Sequence, residues 1–399
     1  MSDSNEQGSG KPGRADIGTV EDLHEAATRM TGLSDFGDRS EYIEGFEVLL
    51  ESFTKDEQLT PYGNRVVRAQ LRGALAARAL AEASFAANPA HAHVAIDRPI
   101  FVTGLPRTGT TALHRLLTED PRHQGLEMWL TQVPQPRPPR EQWADNPIYA
   151  HMQRNFEQHH IENPEFMGVH YMTADTVEEC WQILRQTFLS IAYESLAWVP
   201  TYGEWLQRQD WTPAYARHKQ NLQLIGCNDA DKRWVLKNPS HLFALDALMA
   251  VYPDALVIQT HRDPRTLIAS TSSLSAQATA DQSEKFLGAV IGRSQLELWA
   301  RGAEAFQSSR RRYDAAQFFD VDFGEFNADP VGTVAAIYTH FGIEFPNVAR
   351  AAVQADVEHS RSGPRAPSHQ YSLEEFGLTQ AEVDARFAAY LDGEAARRA

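Results

Sequence analysis

The chain has 399 residues, of which 42% are hydrophobic and 23% are charged, and its formal net charge is −16. This length and composition are typical of a globular protein that buries a large core. The acidic balance argues against nucleic acid and anionic lipid surfaces as partners, because both repel a negatively charged protein.

The sequence also gives expectations about the compartment. No apolar run is long enough to span a membrane, and the polar start lacks a signal-peptide core. The two cysteines, Cys180 and Cys227, have no metal-type spacing. We therefore expect a cytoplasmic protein with reduced cysteines and no membrane span.

The first 97 residues divide into two segments. Residues 1–16 are dominated by Gly, Ser, Pro and charged residues, which predicts a disordered tail. Residues 17–97 are predicted to form a helical layer, with a long helix over about residues 64–87, where Ala, Leu and Arg prevail.

Residues 98–115 predict a short buried strand, a loop bounded by Gly104 and Gly109, and the first turn of a helix. A helix N-terminus concentrates unpaired N–H donors and partial positive charge, so this arrangement is typical of a phosphate-binding loop. The residues that we expect to face the anion are Arg107, Thr108, Gly109, Thr110 and Thr111.

The loop differs from the Walker A pattern G-x-x-x-x-G-K-[ST] at one position. Thr110 stands where that pattern has Lys, and Arg107 is the only cation in the loop. The Walker Lys contacts the β- and γ-phosphates of a triphosphate. Its absence argues against ordinary ATP or GTP hydrolysis.

Three later strand-like runs alternate with helical stretches, which predicts an α/β fold with a P-loop-like central parallel sheet flanked by helices. The runs are Trp234–Lys237, Ala255–Thr260 and Gln317–Val321. We expect the α/β core over residues 98–345, a helical insertion over about residues 140–230, and a C-terminal segment, residues 346–399, packed on the core.

Basic residues follow two of these strands. Lys237 ends one strand, and Arg262 follows the next, with Ser270 eight residues further along the predicted helix. Ligands of open parallel sheets bind at the carboxyl ends of the strands, so these residues should meet the Arg107 loop at one edge. We also expect Ser240 to cap a helix that His241 opens.

These motifs resemble the sulfotransferases that use 3′-phosphoadenosine 5′-phosphosulfate (PAPS), particularly a bacterial branch distantly similar to the cytosolic and tyrosylprotein enzymes. The run GLPRTGTT, residues 104–111, is similar to the family's loop for the 5′-phosphosulfate. The run HRDPRTLIAS, residues 261–270, is similar to its 3′-phosphate motif. The likeness extends from about Arg98 to Gly342 and continues more weakly over His369–Gly377.

The resemblance implies a role for each matching residue. Arg107 and the N–H groups of Thr108–Thr111 would hold the 5′-phosphosulfate, and Arg262 and Ser270 would hold the 3′-phosphate. Lys237 would bind the bridging oxygen or the sulfuryl group. The implied reaction moves a sulfuryl group from PAPS to a hydroxyl of a small acceptor and releases 3′,5′-ADP, with no metal required.

Two residues are candidates for the base that takes the proton of the acceptor. A His at a helix N-terminus is kept neutral by the helix dipole, which favours His241. Glu127 is the rival, because the tyrosylprotein enzymes carry a catalytic Glu near that position.

Two alternative functions are a nucleotide-dependent kinase and a protein without catalytic activity. A nucleotide-dependent kinase has apparent support from His261-Arg262-Asp263 and Asp322-Phe323-Gly324, but Ile268 stands where the catalytic-loop Asn should be and no glycine-rich kinase loop precedes. A catalytically silent nucleotide-binding or scaffold protein would retain the loop for structure alone.

Six of the eight Trp residues lie between residues 129 and 211. They can pack a helical core, or they can form the wall of an acceptor pocket, in which case the acceptor is a hydrophobic alcohol or phenol. The sequence does not indicate the oligomeric state.

Overall fold

The structure is a computed structural model that describes residues 16–162, 172–362 and 371–398. Of the tail expected over residues 1–16, all but Asp16 lies outside the described residues, as do His369 and Gln370 of the weaker C-terminal likeness.

A five-stranded parallel sheet lies at the centre of the fold, in the spatial order β2-β3-β1-β4-β5. The strands are β1 Ile100–Gly104, β2 His123–Gln124, β3 Arg233–Lys237, β4 Leu256–His261 and β5 Phe318–Asp322. The predicted α/β fold with a central parallel sheet is therefore confirmed. The three later strands occur where the sequence predicts them, within one residue at either end. The two-residue β2 was not predicted, because it is too short to show a pattern.

The α-helices of the described residues surround the sheet and build the N-terminal layer, the insertion and the C-terminal segment. They are α1 Val20–Thr31, α2 Ile43–Lys55, α3 Pro61–Ala87, α4 Thr110–Thr118, α5 Met128–Gln132, α6 Pro147–Glu162, α7 Trp181–Leu184, α8 Ile191–Ser195, α9 Pro200–Leu206, α10 Thr212–Ile225, α11 Leu245–Val251, α12 Pro264–Ala278, α13 Gly288–Arg310, α14 Phe323–Ala328, α15 Pro330–His340, α16 Asn347–Ser362, α17 Gln380–Arg386 and α18 Ala388–Arg398.

The long predicted helix is α3, which begins earlier than the composition suggested. The Thr60 side chain accepts a hydrogen bond from Gly63 N over 3.0 Å, and Pro61 occupies the first helical position. Both features are typical of a helix start, because the N–H group of the first helical residue has no acceptor within the helix and Pro lacks only that group.

The two faces of the sheet pack against different helices. Phe101 and Val257 lie in one large core, which also includes the N-terminal helices, the insertion and α13. Val102 and Ile258 point to the other face and pack with residues of α4, α15 and α16. Successive side chains of each strand thus point to opposite faces of the sheet, and both faces are buried under helices, as is typical of a parallel sheet.

The strand order brings three carboxyl ends together. β1 lies between β3 and β4, with Val102 opposite Lys237 and Gly104 opposite Thr260. The connection from β1 leads to one side of the sheet, toward β2, and the connection from its neighbour β4 leads to the other side, toward β5. Open α/β sheets place ligands where neighbouring connections diverge in this way.

Candidate active site

The loop between β1 and α4 is held in a tight curve by backbone conformations that favour glycine. Gly104 has φ 144° and Gly109 has φ 89°. A Cβ atom on Gly104 would lie 2.4 Å from Thr260 Oγ1, so this position cannot carry a side chain without a shift of β4. Arg107 adopts φ 67°, a strained conformation for a non-glycine residue, at the tip of the loop.

The start of α4 leaves N–H donors without helical partners. The first i→i−4 hydrogen bond of this helix runs from Leu113 N to the Gly109 oxygen over 3.1 Å. The N–H groups of Thr110, Thr111 and Ala112 therefore have no acceptor within the helix. Free N–H donors at the start of a helix are typical of anion-binding sites, so the geometry is compatible with the role that the sequence predicts for this loop.

Thr108 contributes to the loop in a different way from that expected. Its side chain is buried, and its hydroxyl donates to the Leu105 oxygen over 2.6 Å and lies 2.5 Å from Thr260 Oγ1. The expectation that this hydroxyl faces an anion is corrected, because it fastens the loop to β4. Only the backbone N–H of Thr108 is left for that role.

Arg107, Arg262 and Ser270 meet at the carboxyl edge of the sheet. Arg107 Nε donates to Ser270 Oγ over 3.2 Å, and Arg262 Nη1 donates to the Arg107 main-chain oxygen over 2.9 Å. Arg262 directly follows β4, and Ser270 lies two turns into α12, as predicted. Two motifs that are far apart in sequence thus form one hydrogen-bonded cluster.

This cluster has an excess of positive charge. Among the described residues neither Arg107 nor Arg262 forms an ion pair with a carboxylate. Burial, and then the charge of Arg107, lower the pKa of the Arg262 guanidinium. Two neighbouring guanidinium groups that lack an ion pair within the described part of the chain fit a phosphate ligand, which both could contact.

The aromatic ring of Phe323 packs against the Arg262 side of the cluster. The Arg262 guanidinium lies 4.3 Å from the centre of its ring. Asp322 ends β5 and caps α14, accepting from Gly324 N over 2.7 Å. The Asp322-Phe323-Gly324 run therefore forms the junction between β5 and α14.

Lys237 connects the loop to the insertion. Its ammonium group donates to Thr111 Oγ1 over 3.2 Å and forms a short ion pair with Glu179. The Cys180 N–H donates to the Lys237 oxygen over 3.0 Å, which fixes this segment against the end of β3. Lys237 is 3% exposed, so its charge acts in a largely desolvated place.

Glu179 is a residue that the sequence interpretation missed. Its side chain is 28% exposed, whereas neighbouring Glu178 is buried. Burial and the charge of Glu179 raise the pKa of Glu178 to about 6. The sequence offered one signal for a functional carboxylate here, which is the pair of adjacent Glu residues, Glu178 and Glu179, directly before Cys180.

His241 lies in the core. Its side chain is 0% exposed, with Nδ1 2.6 Å from the Tyr215 hydroxyl and its ring edge-on to Phe101 at 5.1 Å. Burial, followed by the nearby His218 and Lys237, holds the pKa of His241 well below its usual value. A lowered pKa favours the neutral imidazole, but its cause is burial rather than a helix N-terminus, and His241 has no exposed surface toward an acceptor.

The local cap also differs from the expectation. The helix at this point is a 3₁₀ helix, Pro239–Phe243, and Asn238 caps it by accepting from Ser240 N over 3.2 Å. Ser240 is therefore inside the helix and is not its cap. His241 is therefore the third residue of this helix rather than its first.

Glu127 lies in a buried ion pair. Arg137 donates to its carboxylate over 2.9 Å and to Asp229 over 3.0 Å. Burial raises the pKa of Glu127, and the charge of Arg137 offsets part of this effect. Glu127 faces a separate polar cavity of about 760 Å³, which none of the predicted phosphate-binding residues lines.

Two further observations concern the described residues only. They contain no group of three His, Cys, Asp or Glu side chains arranged to hold a metal ion. In the same part of the chain, every helix is too short or too polar to cross a bilayer.

Comparison with known proteins agrees with this arrangement. Residues 99–347 match the model of the sulfotransferase family. Since this region covers more than half of the sequence, the chain belongs to the sulfotransferase family.

Particular relatives come from mycobacteria. The chain is 26% identical, over 267 residues, to the omega-hydroxy-beta-dihydromenaquinone-9 sulfotransferase Stf3 of Mycobacterium bovis and of Mycobacterium tuberculosis. The match covers 63% of this chain and 64% of each relative, which is less than two thirds of their length.

Solved structures match over nearly the whole chain. Sulfotransferase STF1 from Mycobacterium tuberculosis H37Rv has a TM-score of 0.89 and 54% identity, covering 94% of this chain and 100% of that one. Sulfotransferase STF9 from Mycobacterium avium has a TM-score of 0.86 and 26% identity, covering 96% and 98% of the two chains.

Proposed function

We propose that this protein transfers a sulfuryl group from PAPS to a hydroxyl of a small hydrophobic acceptor and releases 3′,5′-ADP. The observation that carries the proposal is the hydrogen-bonded cluster of Arg107, Arg262 and Ser270 beside the start of α4. It provides two neighbouring places for anions at one sheet edge, which suits a nucleotide with phosphates on both the 3′ and 5′ positions.

The loop and α4 hold the 5′-phosphosulfate in this proposal. The free N–H groups of Thr110 and Thr111 act with Arg107, and Arg262 and Ser270 bind the 3′-phosphate. These donors are fixed before the ligand arrives, because Thr108 fastens the loop to β4. Fixed donors lower the cost of reorganisation during the reaction.

Lys237 stabilises the charge that develops as the bond between sulfur and the bridging phosphate oxygen breaks. Its ammonium group reaches Thr111 at the start of α4, next to the loop. Because the group is desolvated, its interaction with a growing negative charge is stronger than it would be in water.

We assign the base to Glu179. It contacts Lys237 directly and is partly exposed, so an acceptor hydroxyl has access to it. As the new sulfur–oxygen bond forms, the hydroxyl proton passes to the Glu179 carboxylate. Neither rival fits as well, because His241 is enclosed in the core, and Glu127 is buried and lines a cavity that none of the predicted phosphate-binding residues reaches.

The hydrophobic character of the acceptor rests on the insertion. Trp129 and Trp143 are 0% and 5% exposed and pack on each other in the core, so those two rings favour the packing interpretation. Trp181, two residues after Glu179, lines a cavity with mostly apolar walls. The mycobacterial relatives named above include one whose name specifies a hydroxylated menaquinone derivative, which agrees with this acceptor class.

Calorimetry with nucleotides and a transfer assay test the proposal. We expect 3′,5′-ADP to bind much more tightly than ATP. With PAPS as the donor, we expect the protein to sulfate sterols, phenols or long-chain alcohols in preference to glycans. Tighter binding of ATP would support the kinase alternative. Absence of nucleotide binding would support the scaffold alternative, and sulfation of glycans alone would overturn the acceptor class.

A further inference from the structure

Arg262 and Phe323 leave two neighbouring strands of the sheet at matching positions. β4 pairs in parallel with β5, and the last residues of these strands, His261 and Asp322, lie opposite each other. Arg262 and Phe323 are the residues that directly follow. The strand pairing therefore brings the two side chains to the same edge of the sheet, where the Arg262 guanidinium lies 4.3 Å from the centre of the Phe323 ring.

The position of Phe323 is fixed by the start of α14. Asp322 caps this helix by accepting from Gly324 N over 2.7 Å and from Glu325 N over 3.2 Å. Phe323 is the first helical residue, and it is half-buried. Because a cap of this type holds the first turn of a helix in place, the ring meets Arg262 from a backbone that is itself held by hydrogen bonds.

The same ring packs against the loop that is predicted to bind phosphate. A Cβ atom on Gly109 would lie 3.1 Å from Phe323 Cδ2 and 3.5 Å from Phe326 Cδ1. Gly109 has φ 89° and directly precedes α4. Phe323 thus packs on both halves of the candidate site, which are the start of α4 and the guanidinium of Arg262.

An aromatic ring stabilises a guanidinium without neutralising it. The negative face of the ring attracts the cation, but the ring adds no net charge that competes with a phosphate. The Asp263 carboxylate, next to Arg262 in sequence, caps α12 by accepting from Arg265 N over 2.9 Å. Burial, and then the charge of Arg107, lower the pKa of Arg262, and the charge of Asp263 offsets a part of this effect.

Most of the donors of Arg262 are left for a ligand. Within the described residues its side chain donates one hydrogen bond, from Nη1 to the Arg107 oxygen. A guanidinium carries several further N–H groups. The ring of Phe323 therefore holds the cation in place while its charge and these N–H groups remain available.

We infer that Phe323 is a positioning residue for the nucleotide, because its ring holds the Arg262 guanidinium beside the Arg107 loop with N–H donors directed to the 3′-phosphate. This inference rests on the proposed function, which assigns the 3′-phosphate to Arg262. Phe323 acts through Arg262 and binds no phosphate itself. Loss of the ring should therefore weaken the binding of the 3′-phosphate and leave the binding of the 5′-phosphate largely intact.

Calorimetric titrations with 3′,5′-ADP and with 5′-AMP test this, because the two nucleotides differ in the 3′-phosphate. Phe323→Leu removes the ring but keeps an apolar side chain. We expect this variant to lower the preference for 3′,5′-ADP by about three- to tenfold, the size of a cation–π contact at a partly buried site. Its affinity for 5′-AMP should change little. Phe323→Tyr keeps a ring beside the guanidinium and should retain the wild-type preference.

Phe326→Leu is the matched control. It is the same substitution further along α14, at a ring that also packs against Gly109, whereas in the described part of the chain the Arg262 guanidinium stacks on Phe323 alone. Phe326 is buried, so the variant should melt at a lower temperature but keep the wild-type preference. Thermal melting shows that each variant is folded during the titration. An unchanged preference in Phe323→Leu, or an equal loss in Phe326→Leu, would overturn the inference.

Arg262→Ala and a transfer assay with PAPS separate this inference from the proposed function. If Arg262→Ala loses the preference and Phe323→Leu retains it, the inference is overturned and the proposed function stands. A loss of preference in Phe323→Leu, together with no sulfation of any acceptor by the wild type, removes the proposed function and supports the positioning role. Equal binding of the two nucleotides by the wild type contradicts both.

Discussion

Arg262 donates a hydrogen bond to the main-chain oxygen of Arg107, over 2.9 Å, and so joins the end of β4 to the tip of the loop after β1. The bond holds Arg107 in its left-handed conformation and brings two guanidinium groups together. Ser270 accepts from Arg107 and completes the cluster.

Glu179→Gln should lower turnover by about 10²–10⁴-fold, which is the range for loss of a general base. The amide retains the size of the carboxylate but cannot accept the hydroxyl proton. Steady-state rates of sulfation measure the effect, with 3′,5′-ADP titration to show that the nucleotide site is intact. Glu204→Gln, on an exposed residue of α9, is the control. A Glu179→Gln protein with wild-type turnover would return the role of base to His241 or Glu127.

His241→Gln should leave the shape of the pH–rate profile unchanged. Burial keeps the pKa of His241 well below its ordinary value, so the imidazole does not titrate near neutral pH in the folded protein. The profile of kcat/KM between pH 6 and pH 9 is the measurement. Loss of an acidic limb in the variant would show that His241 takes part in proton transfer.

Glu127→Gln should destabilise the fold by about 2–4 kcal/mol, because it leaves the buried Arg137 with only Asp229 as a charged partner. Urea unfolding measures this loss. The variant should still transfer sulfuryl groups at temperatures where it is folded. A fully stable Glu127→Gln protein without activity would contradict the structural role.

Gly104→Ala should destabilise the protein by more than about 3 kcal/mol, since the new Cβ meets the Thr260 side chain and backbone within 2.6 Å. Gly73 provides the matched control. It lies within α3 with no atom within 4 Å of a new Cβ, so Gly73→Ala should stabilise by about 0.5–1 kcal/mol. Similar effects of the two substitutions on urea unfolding would contradict this assignment.

His261 should make stability depend on pH. Burial lowers its pKa, but hydrogen bonds to Asp320 and to Glu394, each at 2.8 Å, outweigh this and raise it above 6.5. Arg310 and Arg397 in turn pair with the two carboxylates. The protonated imidazole thus fastens α18 to the end of β4.

Because the pKa of His261 is raised on folding, its contribution is complete below about pH 6.5 and is lost as the pH rises through the folded-state value. The difference in unfolding free energy between wild type and His261→Gln should therefore shrink from pH 6 to pH 9. A difference that does not change with pH would contradict the charged contact.

The sequence was sufficient for four of the five strands, all but the two-residue β2, and for the residues that follow them. Strand ends are constrained by topology, so Lys237, Arg262 and Arg107 had to meet once the parallel sheet was recognised. The proposed base was harder to find, because Glu179 approaches Lys237 only through the packing of the insertion. The burial of His241 was not predicted, because it results from tertiary packing against Tyr215 and Phe101, which composition does not reveal.

The most direct test of the two-phosphate site compares 3′,5′-ADP with 5′-AMP, which lacks the 3′-phosphate, in calorimetric titrations of the wild type and Arg262→Ala. We expect the wild type to prefer 3′,5′-ADP by about 10–100-fold, as charge-assisted bonds to a phosphate would give, and Arg262→Ala to lose that preference. Arg312→Ala, an exposed arginine remote from the cluster, should behave as the wild type. Equal affinities of the wild type for the two nucleotides, or an undiminished preference in Arg262→Ala, would contradict the account.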